Sequence, residues 1–173
     1  VELPISTTLM LRAIADHARA QGEDLRLPAP RLECLAVFAY GSPRASDDAA
    51  EAGYFAVRAA LARSVAEATE FLAAKGASRV AADRSVPALA RLIAAVGQRF
   101  GVAVSEKAAA QLVPLLGAAG GAAVNLAFMH HYQRTAWGHF TVRRLERRHG
   151  PDAIRASWER LASPRPPRTL PRP

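Results

Sequence analysis

The chain has 173 residues, of which 50% are apolar and 6% aromatic, and its net charge at pH 7 is +8. This length accommodates one folded domain with a buried core, and the many small side chains favour closely packed helices over sheets. The single cysteine, Cys34, excludes an internal disulfide framework and suits a reducing compartment.

Positive charge is concentrated at the C-terminal end. Residues 1–130 carry 13 Lys+Arg and 12 Asp+Glu, whereas residues 131–173 carry 10 arginines and 3 acids, a net charge of +7. A basic end of this kind predicts contact with anionic lipid headgroups or with nucleic acid. The competing explanation is the codon usage of a GC-rich genome, since arginines outnumber lysines by 21 to 2.

Apolar residues recur at helical spacing over the first hundred residues. The first helical pattern is apolar nearly all round, which predicts a buried helix with Arg12 and Asp16 paired inside or near the core. Because the chain opens inside this pattern, we expect it to be a fragment of a longer protein. Gly101 is predicted to end the fourth helix. The four predicted helices span residues 4–20, 31–40, 46–75 and 87–100.

The most apolar stretch is Ala108–Met129, which has 22 residues and no formal charge. Such a segment must be hidden in a protein core or in lipid. A proline and a run of glycines inside it predict two bent helical pieces rather than one rod. We favour a buried hairpin in a helical bundle, and a membrane-inserted hairpin is the competing interpretation. The residues that define this apolar hairpin are Pro114, Gly117, Gly120, Gly121 and Asn125.

A long helix is predicted from about residue 122 to residue 149, and a short last helix follows Pro151. On a helical projection, the apolar face of the long helix is interrupted by His139, Arg143 and Glu146. Buried charges without partners are costly, so these groups are predicted to pair with each other or with an acid from elsewhere in the chain. The acids considered are Glu2, Asp16, Glu51 and Glu106.

Two interpretations of these groups compete. The structural one is a paired polar node in the core, and the functional one is a catalytic or ligand-binding site. The predicted node comprises Arg12, Asp16, His131, His139, Arg143 and Glu146. The candidates for a catalytic role are Glu106, His139, Arg143 and Glu146.

Common catalytic and cofactor motifs are absent from the sequence. His130, His131 and His139 lack the spacing of HExxH and related metal sites, and no GxSxG, GxGxxG or Walker loop is present. We therefore predict no metal and no cofactor. No stretch alternates as a strand does, so the predicted fold class is all-α. We expect a single bundle of about six to seven helices with the glycine-rich apolar helix pair at its centre.

Five ordered blocks of the sequence carry a family resemblance. The blocks read VELPISTTLMLRAIADHARAQGEDL, RLECLAVFAYG, AGYFAVRAALA, RFGVAVSEKAAAQLVPLLGAAGGAAVNLAFM and GHFTVRRLERRHG. Together, from Val1 to about Leu161, they resemble the EcsC family of bacterial proteins. The positions that match the family pattern are Glu2, Pro4, Arg12, Asp16, Glu23, Asp24, Ser105, Glu106, Lys107, Gly120, Gly121, Asn125, His131, Gln133, Gly138, His139, Phe140, Arg143, Arg144 and Glu146. The departures are His17, His130 and residues 134–137.

The resemblance implies a helical domain over residues 1–162 that lacks the further N-terminal helices usual in the family. Residues 163–173 are rich in proline and arginine, and we expect them to form a disordered tail.

The family takes its name from a protein encoded beside an ABC transporter, and the resemblance assigns no biochemical activity. We predict a membrane- or transporter-associated accessory protein that is cytoplasmic and peripheral at the inner face of the membrane. Its expected partner is an anionic membrane surface or a membrane protein. The alternative is a hydrolase that uses the buried His/Arg/Glu site, and nucleic-acid binding through the basic end ranks third.

Overall fold

The computed structural model is entirely α-helical apart from short connections, over the residues that it describes, which are 2–40, 50–75, 87–111 and 117–162. Side chains are described over residues 7–40, 53–74, 88–100 and 126–161. The predicted all-α bundle is confirmed. The described helices are Glu2–Ala20 (α1), Pro28–Tyr40 (α2), Ala50–Lys75 (α3), Pro87–Gln111 (α4), Gly117–His149 (α5) and Pro151–Ala162 (α6).

The short helix α2 is at the centre of the bundle. It contacts α1, α3, α4 and α5, and most of its residues from Pro30 to Ala39 are buried. A helix surrounded in this way needs apolar side chains on every side, as its sequence supplies. Glu33 is the one acid in α2 and is itself buried, so it requires partners from the surrounding helices.

An aromatic cluster joins α2, α4 and α5. Tyr132 and Phe140 of α5 are fully buried, as the helical projection predicts for the apolar face. The rings of Phe38 and Phe100 lie 4.8 Å apart, and the ring of Tyr132 lies 5.3 Å from Phe38. The Tyr132 hydroxyl also donates a hydrogen bond to the carbonyl of Phe38 at 3.4 Å. The polar tip of the buried tyrosine is thereby satisfied.

Two predictions about glycine are wrong. Helix α4 continues through Gly101 to Gln111, and α5 begins at Gly117 rather than near residue 122. A glycine inside a helix costs only about 1 kcal/mol relative to alanine, which packing elsewhere along a long helix can outweigh. The two predicted helical pieces are present as α4 and α5, but residues 112–116, with Pro114, lie outside the described part of the chain.

The prediction that the first helix is buried all round is also wrong. Met10, Ile14 and Ala18 of α1 are buried, whereas Leu9 is half exposed. The second helix begins at Pro28 rather than at residue 31 as predicted, and Pro28 and Pro30 belong to its first turn. Proline is tolerated there because the first amides of a helix have no intrahelical partner. The predicted helix start near residue 46 and the predicted tail over residues 163–173 lie outside the described residues.

Candidate functional site

His139 of α5 lies at the centre of a buried polar cluster. Its Nδ1 is 2.9 Å from the hydroxyl of Tyr54, and its Nε2 is 3.2 Å from Oε2 of Glu33. The Nε2 contact has the length of an ion pair, although the ring N–H does not point along it. Because a carboxylate only accepts hydrogen bonds, we place the ring proton on Nε2, which leaves Nδ1 to accept from Tyr54. Burial lowers the pKa of His139, although the nearby carboxylate of Glu33 acts to raise it. The net lowering of the pKa favours the neutral ring.

Glu33 is the acid that the central helix α2 brings to this cluster. Its Oε2 accepts a hydrogen bond from the Tyr40 hydroxyl at 3.1 Å, and its Oε1 lies 3.3 Å from Nη1 of Arg143. Burial by itself raises the pKa of this carboxyl group, but His139, Arg143 and Tyr40 outweigh it and leave the pKa of Glu33 below its ordinary value. Glu33 is therefore an ionised group inside the bundle, with a contact on each oxygen.

Glu23 is positioned by the end of α1. Gly22 has a φ of +80°, and the amides of Gly22 and Glu23 donate hydrogen bonds back into the last turn of α1. This is a Schellman motif, and its left-handed position favours glycine. After this reversal the Glu23 side chain faces α5, where Oε1 accepts hydrogen bonds from Nε of Arg143, at 2.8 Å, and from Nη1 of Arg147. Arg147 also donates to the carbonyl of Gln21 at 2.7 Å.

Arg143 bridges two acids, Glu23 in the α1–α2 connection and Glu33 in α2. Its side chain is only 20% exposed, and its guanidinium contacts both Glu23 and Glu33. Burial lowers the pKa of this guanidinium, but the two carboxylates outweigh that effect and raise the pKa of Arg143. Burial acts to raise the pKa of Glu23, but the hydrogen bonds and charges of Arg143 and Arg147 outweigh this effect. The pKa of Glu23 is therefore lowered. Each charge in this part of the cluster is thus held by an opposite charge.

A second ion pair lies on the α3 side of the cluster. Arg58 of α3 donates two hydrogen bonds, of 2.7 Å and 2.8 Å, to the carboxylate of Glu146 of α5. This bidentate geometry is the strong form of an arginine–carboxylate contact. The ring of Trp158, in α6, lies 5.5 Å from that of Tyr54 and covers the cluster from that side. We call the whole cluster the ion network: Glu23, Glu33, Tyr40, Tyr54, Arg58, His139, Arg143, Glu146 and Arg147.

The ion network contains three of the six residues of the predicted polar node, namely His139, Arg143 and Glu146. The prediction that Arg12 and Asp16 pair near the core is wrong, because both are exposed and Asp16 pairs with Arg19 at the surface. His131 is exposed, with its ring 5.3 Å from that of Tyr132.

The acids that pair with α5 were not foreseen. Glu23 and Glu33 both pair with Arg143, whereas Asp16 pairs with Arg19. The side chains of Glu2, Glu51 and Glu106 lie outside the described residues. One sequence signal was available, since Glu33 is the single acid of a mostly apolar helix whose other charged residue is Arg31.

The opposite side of α5 carries exposed cations. Arg134, Arg144 and Arg148 are exposed, and within the described part of the chain none of them forms an ion pair with an acid. Trp137 and Leu126 are 57% and 59% exposed on the same side. At 100° per residue these five positions fall within an arc of about 80°. We call this surface, with the exposed His130, the outer face of α5.

The model of the EcsC protein family matches residues 1–145. The chain belongs to the EcsC family. No curated protein and no solved structure matches it. The family match includes Glu23, Glu33, Arg58, His139 and Arg143 of the ion network and the N-terminal part of the outer face.

A cleft of about 410 Å³ lies beside the ion network of this EcsC-family chain, between α2 and α3. Glu33, Tyr40 and Arg58 are among its lining residues, whereas His139 and the α5 partners of these groups are not. Apart from the exposed Glu70, the charges that a molecule in the cleft would meet are those of Glu33 and Arg58, which are already paired inside the protein. Burial also raises the pKa of the Tyr40 and Tyr54 hydroxyls, so both are protonated and poor nucleophiles at neutral pH.

Three further observations concern membranes and metals. No helix over the described residues combines the length and apolar character needed to cross a membrane. The apolar hairpin is divided between α4 and α5, and its side chains up to Asn125 are not described. Among the described side chains, no group of three or more His, Cys, Asp or Glu residues is arranged to hold a metal ion. The expectation that the protein binds no metal and no cofactor stays a prediction. The hydrolase interpretation likewise stays untested.

Proposed function

We propose that this EcsC-family protein attaches peripherally to an anionic membrane surface through the outer face of α5, as an accessory protein rather than an enzyme. The observation that carries the proposal is the set of exposed arginines on that face, which have no acidic partner among the described residues. Attachment there would bring the domain beside membrane proteins, such as the transporter near which the family's namesake is encoded.

Most exposed arginines elsewhere on the bundle form an ion pair with an acidic residue. An arginine paired within the protein has less positive charge to offer an external anion, because its partner screens it. Glu146, the single acid in the sequence of α5, is turned inward and held by Arg58, so it does not reduce the charge of the outer face. The surface pairs are Arg19–Asp16, Arg26–Asp24, Arg63–Glu67, Arg91–Glu67 and Arg155–Glu159.

The apolar residues of the outer face support a membrane rather than a soluble anion. Trp137 and Leu126 lie about three helical turns apart on the face that carries the cations, and more than half of each is exposed. Tryptophan suits the boundary between headgroups and acyl chains, where its ring is in contact with lipid and its N–H with water. A helix that presents arginines beside such a ring has the composition of an interfacial surface.

The ion network supports the proposal because pairing within the protein accounts for its charged residues. Its charges are balanced, with Arg58, Arg143 and the more exposed Arg147 against Glu23, Glu33 and Glu146. These side chains are needed to stabilise the contacts among the α1–α2 connection, α2, α3 and α5, and their pairing explains their burial without a reaction.

The test is flotation with vesicles of phosphatidylcholine alone and of phosphatidylcholine mixed with phosphatidylserine. Each arginine near an anionic leaflet contributes about 1 kcal/mol, so replacing three of them by glutamine should weaken binding to the anionic vesicles about 100-fold. Wild-type binding should be reduced by salt, because exposed charges are screened. The variant changes Arg134, Arg144 and Arg148.

The matched control removes the same net charge from paired arginines elsewhere on the surface. We expect the triple glutamine variant of Arg19, Arg26 and Arg63 to bind anionic vesicles much more tightly than the outer-face variant does. Equal losses in the two variants would show that only net charge matters and would refute the outer face as the contact. The absence of wild-type binding to either kind of vesicle would refute membrane attachment altogether.

A further inference from the structure

A groove of about 380 Å³ lies where His17 of α1 faces the outer side of α5. We infer that this groove binds the phosphate of a phosphomonoester lipid headgroup, an inference that rests on the proposed attachment of the outer face to a membrane. The groove adjoins that face and shares three residues with it. Its lining residues are His17, His130, Gln133, Arg134, Trp137 and Gly138.

The polar groups of the groove are hydrogen-bond donors that come from two helices. His17 is supplied by α1, whereas His130, Gln133 and Arg134 are supplied by just over one turn of α5. No acid lines the groove among the described residues, and Asp16, the chain neighbour of His17, is held by Arg19. The groove therefore combines one permanent positive charge with side chains that can donate hydrogen bonds to an anion.

The shape of the groove leaves room for a group larger than water. Gly138 lies in its wall, and a Cβ atom added there would meet nothing within 4 Å. A volume of about 380 Å³ lies within the range of small-ligand sites in proteins, which is about 300–1,000 Å³. The donors approach this space from both helices rather than from one plane.

This arrangement suits a phosphomonoester better than a carboxylate. A phosphomonoester presents three strong acceptor oxygens in different directions and carries a charge close to −2 at neutral pH. A carboxylate has two oxygens in one plane, which a single arginine fork satisfies. Donors that reach the anion from two helices can contact separate phosphate oxygens, and the guanidinium of Arg134 supplies the opposite charge.

Trp137 connects the groove to the membrane. It lines the groove and is also the most bulky exposed residue of the outer face. A headgroup phosphate in the groove would lie at the level where the indole ring meets the interface, since phosphate and interfacial tryptophan occupy neighbouring depths in a bilayer. A soluble phosphomonoester would not use the exposed ring or Leu126, which lies about three turns away on the same face.

The experiment compares vesicles that contain phosphatidic acid with vesicles that contain phosphatidylserine, matched in zeta potential. The wild-type protein should bind the phosphatidic acid vesicles about tenfold more tightly, because charge-assisted hydrogen bonds to the phosphate add to the general attraction. The double alanine variant of His17 and Gln133, which line the groove but do not belong to the outer face, should lose this preference and keep its binding to phosphatidylserine. The double alanine variant of His131 and His149, two exposed histidines outside the groove, should keep the preference.

The outcomes separate this inference from the proposed function. Binding to phosphatidylserine without a preference for phosphatidic acid would refute the groove and leave the outer face intact, and so would a preference that survives in the His17/Gln133 variant. Binding to neither vesicle would refute membrane attachment and the groove together. Glycerol 3-phosphate is the soluble probe: if it binds as tightly as the vesicle lipid, the ligand is a soluble phosphomonoester and the lipid assignment is wrong.

Discussion

On the inner side of α5, Arg143 and Arg147 both hold Glu23, whereas on the outer side their chain neighbours Arg144 and Arg148 hold no acid among the described residues. The two pairs have the same side chain and the same helical backbone. They differ only in the direction in which a rotation of 100° per residue points them. One pair lies against carboxylates in the bundle, and the other lies in solvent.

This difference separates stability from recognition along a single helix. A charge removed from water must be paired with an opposite charge, so the inner arginines are needed for the stability of the fold. A charge in water has no such requirement, and its removal changes stability little. Arginines on the outer face therefore remain available to an external anion. Substitutions on the inner side should lower stability, whereas substitutions on the outer face should weaken binding to anionic surfaces and leave stability nearly unchanged.

The largest effect is expected for Arg143→Ala. The substitution leaves Glu23 and Glu33 without a shared partner in a mostly buried site, so we expect a loss of about 2–4 kcal/mol in the free energy of unfolding. Urea denaturation followed by circular dichroism measures it. The control is Arg144→Ala, one residue further along, which should change stability by less than about 0.5 kcal/mol. Equal effects of the two substitutions would remove the distinction between the faces.

Acid should destabilise the inner side in two steps. The pKa of His139 is lowered in the folded chain from its ordinary value of 6.5, so the unfolded chain binds the proton first and stability falls as the pH drops below that value. The pKa values of Glu23 and Glu33 are lowered from 4.5, so a second loss begins below that pH and continues through their folded pKa values. Unfolding free energies measured over a series of pH values should show both steps.

A substitution identifies the first acid step. His139→Gln should flatten the pH dependence between neutral pH and about 5, because the titrating ring is gone while an amide can still contact Tyr54. His149→Gln, which changes an exposed histidine, should leave the curve as it is. A first step that persists undiminished without His139 would show that another group is responsible.

The smallest effect on stability is expected for Trp137→Ala. The exposed ring contributes little to the core, so the free energy of unfolding should change by less than about 0.5 kcal/mol, while binding to anionic vesicles should weaken about tenfold. Trp158→Ala is the comparison, since that ring packs against Tyr54 and Phe55 and its loss should destabilise the bundle by about 1–3 kcal/mol. If Trp137→Ala destabilises as much as Trp158→Ala, the outer ring belongs to the fold.

The elements that could be predicted from sequence are those with strong local periodicity. Val57, Leu61 and Val65 recur at helical spacing and are buried in α3, as that spacing indicates. The inward direction of His139 and Arg143 also follows from the rotation of a helix. Local periodicity failed at Gly101, because the preference of one residue for ending a helix is small compared with the packing of a helix of 25 residues.

The partners of the inner charges could not be predicted because they are distant in sequence. Glu23 is 120 residues from Arg143, and Glu33 is 110 residues from it. Which acid meets which base depends on how the helices pack, and a residue pattern along one helix does not contain that information. Arg12 and Asp16 illustrate the error: their spacing of four suits a helical pair, but Asp16 is also three residues from Arg19 and pairs there.

The thiol of Cys34 offers a way to observe the bundle opening. It is the one cysteine of the sequence, it lies buried in the central helix, and burial raises its pKa to about 12. A thiol reagent reacts with the thiolate and needs access to it, so folded molecules should be labelled only when the helices around α2 separate. The labelling rate would then report the free energy of that opening without any engineered probe. A second cysteine introduced on the outer face would react at once with a polarity-sensitive dye, while the buried Cys34 stays unlabelled. The dye signal would then come from the outer face alone.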